Sequence, residues 1–263
     1  VSFTTDVKDE LAHIEGACTH CDKATLAALV RIEGTLFVSG PGRYRVELAT
    51  DSASVGRLTI KLIHTLYNLK TQLTVRRSVL HKTPNYLIEV PTQRGLATAL
   101  VDMGVINTGG GLEMGIKPEL VAKQCCAGAY LRGAFLGSGF ISNPKSDFHF
   151  EIIVETEQLA TGIVELMAKK GIVAKVMHRR SSYMVYLKSG NSILEFLAYT
   201  GAHHNACILE EERVVKSVRN DVNRQINAEM ANQQKATKAA VEQLYTIRDV
   251  LKKHPFDSLP PAL

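Results

Sequence analysis

Cys18-Thr19-His20-Cys21 has the C-x-x-C spacing of a thiolate metal site or a redox pair. A structural metal site of this kind needs four ligands around one ion, ordinarily a second pair at similar spacing. The sequence offers no second C-x-x-C, and Cys125-Cys126 is adjacent and apolar in context, so these two read as core thiols. No βαβ pattern surrounds Cys18 and Cys21 to suggest a thioredoxin-like role. His203-His204 with Cys207 reads as a surface turn. Gly109-Gly110-Gly111 lacks the Lys-Ser/Thr of a phosphate loop and reads as a flexible linker. No metal and no cofactor is expected.

Two arginine pairs suggest a different chemistry, contact with phosphate. Arg76-Arg77 and Arg179-Arg180 each close a strand-like segment. The second pair lies in a run from Lys169 to Lys188 that contains Lys175 and no Asp or Glu. Tyr86, Tyr183 and Tyr186 fall on neighbouring strands. Arg76, Arg77, Arg179, Arg180, Lys175 and Lys188 are therefore the candidate DNA contacts. They would give affinity that falls with salt and little reading of sequence. Charged residues on alternate strand positions are also the ordinary solvated face, and a net charge of +5 over 263 residues is mild.

The composition is that of a globular chain, 45% hydrophobic and 22% charged, with five cysteines, an odd and low count that suits reduced thiols. No stretch approaches the roughly 18–20 apolar residues of a membrane span, and no apolar region follows the polar, acidic N-terminus. A cytoplasmic, nucleoid-associated protein with no membrane partner is expected.

The elements that would position these residues repeat at a spacing of about 105 residues. Residues 26–34 and 131–139 each read as an apolar helix rich in small residues and stopped by glycine. Ala28, Gly133 and Gly137 would let two such helices cross closely. Period-2 alternation follows each helix, at 44–49 and 148–154, then an amphipathic helix carrying Leu58, Leu62 and Leu66 or Leu159, Ile163 and Leu166. Strands ending in the arginine pairs, strands at 86–90 and 183–188, and helices near 94–102 and 192–200 complete each copy. The unit is αββαββα, twice. The tail from about residue 209 to 253 reads as helix, with apolar stripes at Val215, Val218, Val222, Ile226 and Met230, then Ala236, Ala240, Leu244, Ile247 and Leu251. Polar residues 232–234 between them leave two helices or one kinked helix open, and Pro255, Pro260 and Pro261 end the pattern.

This repeat resembles the LAGLIDADG homing-endonuclease fold, an α+β architecture with pseudo-twofold symmetry. The resemblance implies two crossing helices, each ending in an acidic residue that helps hold divalent metal at the scissile phosphates, and strands that form a saddle in the DNA major groove. The first acidic position falls on Glu33 and the second on Ser138, a neutral and poor ligand for a hard cation. Cleavage is therefore not expected, and Glu33 reads as a solvated helix-end residue. A site-specific endonuclease is the alternative.

Ser2-Phe3, Val7-Lys8-Asp9-Glu10-Leu11, Gly115-Ile116, Leu120-Val121, Cys125-Cys126, Ala129 to Leu136, Phe148-His149-Phe150-Glu151, and Arg224, Asn227 and Asn232 in the tail resemble the WhiA family over nearly the whole chain. The resemblance implies a bacterial DNA-binding regulator of cell division and, in actinobacteria, sporulation, with double-stranded DNA as partner and another transcription regulator as a candidate partner. It also implies a C-terminal helix-turn-helix, expected to lie beyond this chain. The expected organisation is an N-terminal helical segment (1–21), two repeats (22–105 and 120–205) joined by a linker (106–119), and a helical extension (206–263) acting as connector. A protein-interaction platform without DNA contact is the third reading.

Overall fold

The structure, a computed structural model, describes residues 2–77 and 84–253. Pro255, Pro260 and Pro261 lie outside them. Helix α1 (Phe3–Ala12) precedes two copies of one unit. The first runs α2 (Thr19–Glu33), β1 (Gly34–Val38), β2 (Tyr44–Thr50), α3 (Ala53–Tyr67), β3 (Gln72–Arg77), β4 (Pro84–Val90), α4 (Leu96–Asp102). The second runs α5 (Gln124–Ser138), β5 (Gly139–Ile141), β6 (Phe150–Val154), α6 (Glu157–Ala168), β7 (Lys175–Arg179), β8 (Ser182–Leu187), α7 (Gly190–Thr200). Each copy forms an antiparallel four-stranded sheet, in the orders β1-β2-β4-β3 and β5-β6-β8-β7. The fold is α+β with two αββαββα repeats, followed by a long helix, α8 (His203–Lys253). No helix among the described residues is long and apolar enough to cross a membrane.

Helices α2 and α5 pack on each other at the centre. Residues 24–30 of α2 and 126–131 of α5 are buried on every side, the pattern of central helices. Gly133 makes the close approach possible. A Cβ there would collide with the Thr25 carbonyl oxygen and stand 2.9 Å from the Ala28 Cβ. Gly137 faces Ile32 and Glu33, which a Cβ would meet at 3.0 and 3.3 Å. The Thr25 hydroxyl donates to the Ala129 carbonyl at 3.1 Å across the same seam.

α2 begins at Thr19 rather than at residue 26, because its first turns carry polar residues among the buried Cys21, Ala24 and Thr25. Gly34 and Gly139 do end the two central helices, but in extended conformation (φ −80° and −69°). Glycine is needed there because a Cβ would run into the carbonyl oxygens of Val30 and Phe135 as the chain turns straight into β1 and β5. Equivalent hydroxyls start the next helices: Ser52 accepts from the Val55 N–H (3.4 Å) and Thr156 from the Leu159 N–H (3.3 Å).

The segment joining the repeats is not free coil. The Asn107 side chain accepts from the N–H groups of Gly109 and Gly111, both at 3.0 Å, and Ile106 bridges Leu112. Arg31 of α2 donates to the carbonyls of Glu113 and Met114. The three glycines form a turn fixed by an asparagine, a local hydrogen-bond pattern that composition does not reveal.

Residues up to Glu212 form one compact unit that includes both repeats, and those from Arg213 form a second. In the first unit the Glu10 carboxylate accepts from the N–H groups of His204 (2.7 Å) and Asn205 (3.0 Å) and so caps α8. His203 and His204 thus open a helix and form no turn. The second unit, as far as Lys253, is helical and exposes Val215, Val218, Val222, Ile226 and Met230.

Replacing Gly133 by leucine is expected to lower stability by about 1–3 kcal/mol through overpacking. Urea denaturation of parent and variant measures this, and an unchanged midpoint would refute the close crossing.

Candidate functional site

Glu33 and Ser138 are the last residues of α2 and α5, side by side at one end of the crossing. The Ser138 hydroxyl is committed to the neighbouring strand: it donates to the Ile153 carbonyl (2.5 Å) and accepts from the Ile153 N–H (3.1 Å). Glu33 is not the solvated helix-end residue that the sequence suggests. It is half-buried, and burial pushes its carboxyl up to about 7, with Asp51 adding to the rise and Lys8 opposing it. Lys8 of α1 donates to the Gly137 carbonyl at 3.1 Å. Burial holds its ammonium below the ordinary lysine value, while Asp51 and Glu33 favour its charge. The chain thus brings its own cation to the end of the crossing, next to a single acidic helix end. Lys8 was missed by the sequence reading; the only signal was that it is the sole basic residue of α1.

The strand faces turned away from the helices carry Arg76, Lys175 and Arg179 among the basic candidates. Residues directly opposed in an antiparallel pair share a face. In the first sheet Val46, Leu48, Ile88 and Val90 are buried, so Glu47, Glu89 and Arg45 lie outward. Arg45 spans Glu47 (2.5 Å) and Glu89 (3.7 Å) and stacks over Phe37, so the arginine at the middle of this face is taken up by two carboxylates. Arg76 stands opposite Asn85 at the outer strand, on the same face. Arg77 closes β3 opposite Pro84. In the second sheet Phe150, Ile152 and Val154 are buried, and the outward rows join Lys175 with Tyr186 and Glu151, and Arg179 with Ser182. Lys188 is exposed, its ammonium 5.7 Å from the Tyr186 ring. Glu151 is bonded to His149 at 3.0 Å.

The two arginine pairs occupy corresponding but unequal places. Tyr86 and Tyr183 are register equivalents, opposite Thr50 and Val75 in one sheet and Val154 and His178 in the other. Arg76 and Arg179 each follow by one residue. Arg180 has left the strand for the turn, with φ 57°.

The cysteines depart from the sequence reading. Cys125 and Cys126 are not simply core thiols, since Cys125 is exposed and Cys126 buried. They supply the second pair that Cys18 and Cys21 lack in the linear sequence: the four Sγ atoms lie within 4.8 Å of one another. A hydrogen bond from Cys21 holds the Cys18 thiol down to about 6, and burial pushes Cys21 up to about 11. Sequence separation hid this grouping, because it exists only once α2 and α5 pack.

Residues 19–106 match the WhiA N-terminal LAGLIDADG-like domain, residues 127–219 the WhiA LAGLIDADG-like domain and residues 222–263 the WhiA C-terminal HTH domain. The "Probable cell division protein WhiA" of Heliobacterium modesticaldum is 39% identical over 264 residues, covering 100% of this chain and 83% of the relative. That of Desulforamulus reducens is 37% identical over 265 residues, covering 100% and 82%. The crystal structure of full-length DUF199/WhiA from Thermatoga maritima shares the fold with a TM-score of 0.70 at 21% identity, over 99% of this chain and 83% of that one. The homing endonuclease I-DmoI, solved in complex with DNA and Mn, reaches a TM-score of 0.50 at 16% identity, over 71% of this chain and 99% of its own. The match at residues 222–263 corrects the expectation that the helix-turn-helix is absent from this chain. Part of the helical extension read as a connector (206–263) falls within that match, and of the matched residues 222–253 form part of α8.

The raised Glu33 carboxyl sets a pH dependence. Its folded value near 7 exceeds the ordinary 4.5, so the folded chain holds a proton there that the unfolded chain has released. This contribution to stability is complete below about 4.5 and is lost as pH rises through about 7. Glu33→Gln is therefore expected to stabilise the chain at pH 8 by roughly 1–3 kcal/mol, with the gain shrinking toward pH 5. Urea unfolding at both values tests it; an equal effect at the two would contradict the buried carboxyl.

Proposed function

The chain belongs to the WhiA family, and we propose that it is a non-catalytic DNA-binding regulator of bacterial cell division. In this reading the HTH-matching residues 222–263 contribute the sequence-reading contacts. The two LAGLIDADG-like repeats are a scaffold whose strands add weak contacts to phosphate. One observation carries the scaffold role: Ser138 stands where the second carboxylate would have to be, with its hydroxyl already bonded to Ile153. Metal-assisted phosphodiester cleavage needs carboxylates that hold hard cations and activate water. Glu33 has no carboxylate partner at the end of α5, and the Lys8 ammonium, which Asp51 also favours, already supplies positive charge there.

The DNA contacts in this proposal are unequal between the repeats. Lys175, Arg179 and Lys188 gather on the second sheet, where Glu151 is paired with His149. On the first sheet Arg76 sits at the rim of a face whose central arginine is occupied by two glutamates. Arg180 in its turn can reach phosphate from the edge, and Arg77 remains part of the proposed contact set.

Arg76→Ala with Arg179→Ala in the full chain is expected to weaken binding to duplexes of any sequence alike. It should also flatten the slope of log K against log salt by about 1 per arginine. Fluorescence anisotropy across a salt series reads both quantities. Unchanged affinity and slope would leave the repeats as a protein-interaction platform. In a plasmid-nicking assay with magnesium the parent chain is expected to leave the plasmid intact. Cleavage abolished by Glu33→Gln would instead establish the endonuclease.

A further inference from the structure

We propose that Cys18, Cys21, Cys125 and Cys126 form a tetrathiolate site for one zinc ion that ties the N-terminal end of α2 to that of α5. The spacing of the sulfurs is that of ligands sharing one metal. Cys18 and Cys21 Sγ are 3.4 Å apart, Cys18 and Cys126 3.8 Å, and Cys21 and Cys126 3.9 Å. All four lie within 4.8 Å of one another. Zn–S bonds of about 2.3 Å in tetrahedral geometry put ligand sulfurs about 3.8 Å apart. Closing this set on an ion asks only for small side-chain adjustments, a widening of the Cys18–Cys21 pair among them.

The donor set selects the ion. Four soft sulfurs exclude magnesium and calcium, which take oxygen, and favour zinc among abundant divalent ions. An iron–sulfur cluster distributes its thiolates over several irons and holds them farther apart than ligands of a single ion. Binding displaces the thiol protons to solvent as four Zn–S bonds form, with no change of oxidation state.

Two further features suit the charge such a site would carry. Zinc with four thiolates is a dianion overall. Cys18 is the N-cap residue of α2, Cys21 lies in its first turn, and Cys125 and Cys126 lie in the first turn of α5. Neither helix has a side-chain cap on its first N–H groups, so two positive helix ends converge on the sulfurs and favour negative charge. The Arg132 guanidinium, which donates to the Thr200 carbonyl at 2.8 Å, also interacts electrostatically with Cys21.

Pseudo-symmetry explains how the site arises. Cys21 and Cys126 are 105 residues apart, the offset that also relates Gly34 to Gly139 at the far ends of the same helices. They occupy the same turn of equivalent helices and face each other across the crossing. Cys18 and Cys125 complete the shell from places that are not equivalent.

The full chain, purified under reducing conditions, is expected to carry about one zinc per molecule by elemental analysis. After chelation and reconstitution with cobalt, it should show the intense visible bands of tetrahedral cobalt thiolate. Cys125→Ser, at the exposed ligand, and Cys18→Ser should each lose the bound zinc. Cys207→Ser, outside the cluster, should keep it. Thermal melts of zinc-loaded and chelated parent should differ, with the chelated form lower. A reduced, folded parent that holds no zinc and gives no cobalt–thiolate bands overturns the proposal. So does a Cys125→Ser variant that retains full zinc, or a Cys18–Cys21 disulfide in a chain that takes up no metal after reduction.

Discussion

The fold depends on how closely α2 and α5 approach each other. Their seam leaves no room for a side chain at Gly133, where a Cβ would strike the Thr25 backbone. Well-packed interiors do not deform continuously, so this contact fixes the relation between the repeats. It fixes what happens at both ends of the helices as well. At one end it sets Glu33 beside Ser138. At the other it brings together two pairs of sulfurs that the chain separates by more than a hundred residues.

The Glu33 end joins two unlike helix ends in one crossing. A pair of acidic helix ends would repel unless a cation lay between them. Here one partner is a hydroxyl bonded to Ile153, and the Lys8 ammonium supplies positive charge from a helix outside the repeats. The same helix secures other parts of the first unit: Thr4 bonds both polar groups of Ile141 in β5, and Glu10 caps α8. Helix α1 is thus bonded both to the second repeat and to the start of the terminal helix.

Much of the architecture was legible because it is written in local periodicity. The alternation of β2 and β6, the apolar stripes of α3 and α6 and the small residues of α5 each report on a neighbour nearby in sequence. What was not legible depends on tertiary contact. β1 has no clean alternation of burial, and β5 has only three residues. The first turns of α2 bury Cys21, Ala24 and Thr25 among polar residues that stay exposed or half-buried. The fixed turn at Asn107 looked like a flexible glycine run, and Glu33 looked solvated because nothing near it in sequence buries it. Lys8 and the second cysteine pair act on partners reached only through the crossing. The HTH match was obscured by polar composition that suits a connector equally well.

Joining the repeats in one chain has an evolutionary consequence. In an assembly of two identical subunits every substitution is displayed twice, so a change useful on one side must be tolerable on the other. Here Arg31 and Asn107 fasten the junction, and covalent linkage keeps the halves together at high effective concentration whatever their individual affinity. Each half is therefore free to vary alone. Glutamate at the end of α2 coexists with serine at the end of α5, and a sheet whose central arginine is held by two glutamates with a basic one. Such asymmetry gives the pair of repeats a polarity, so that its two halves present different surfaces.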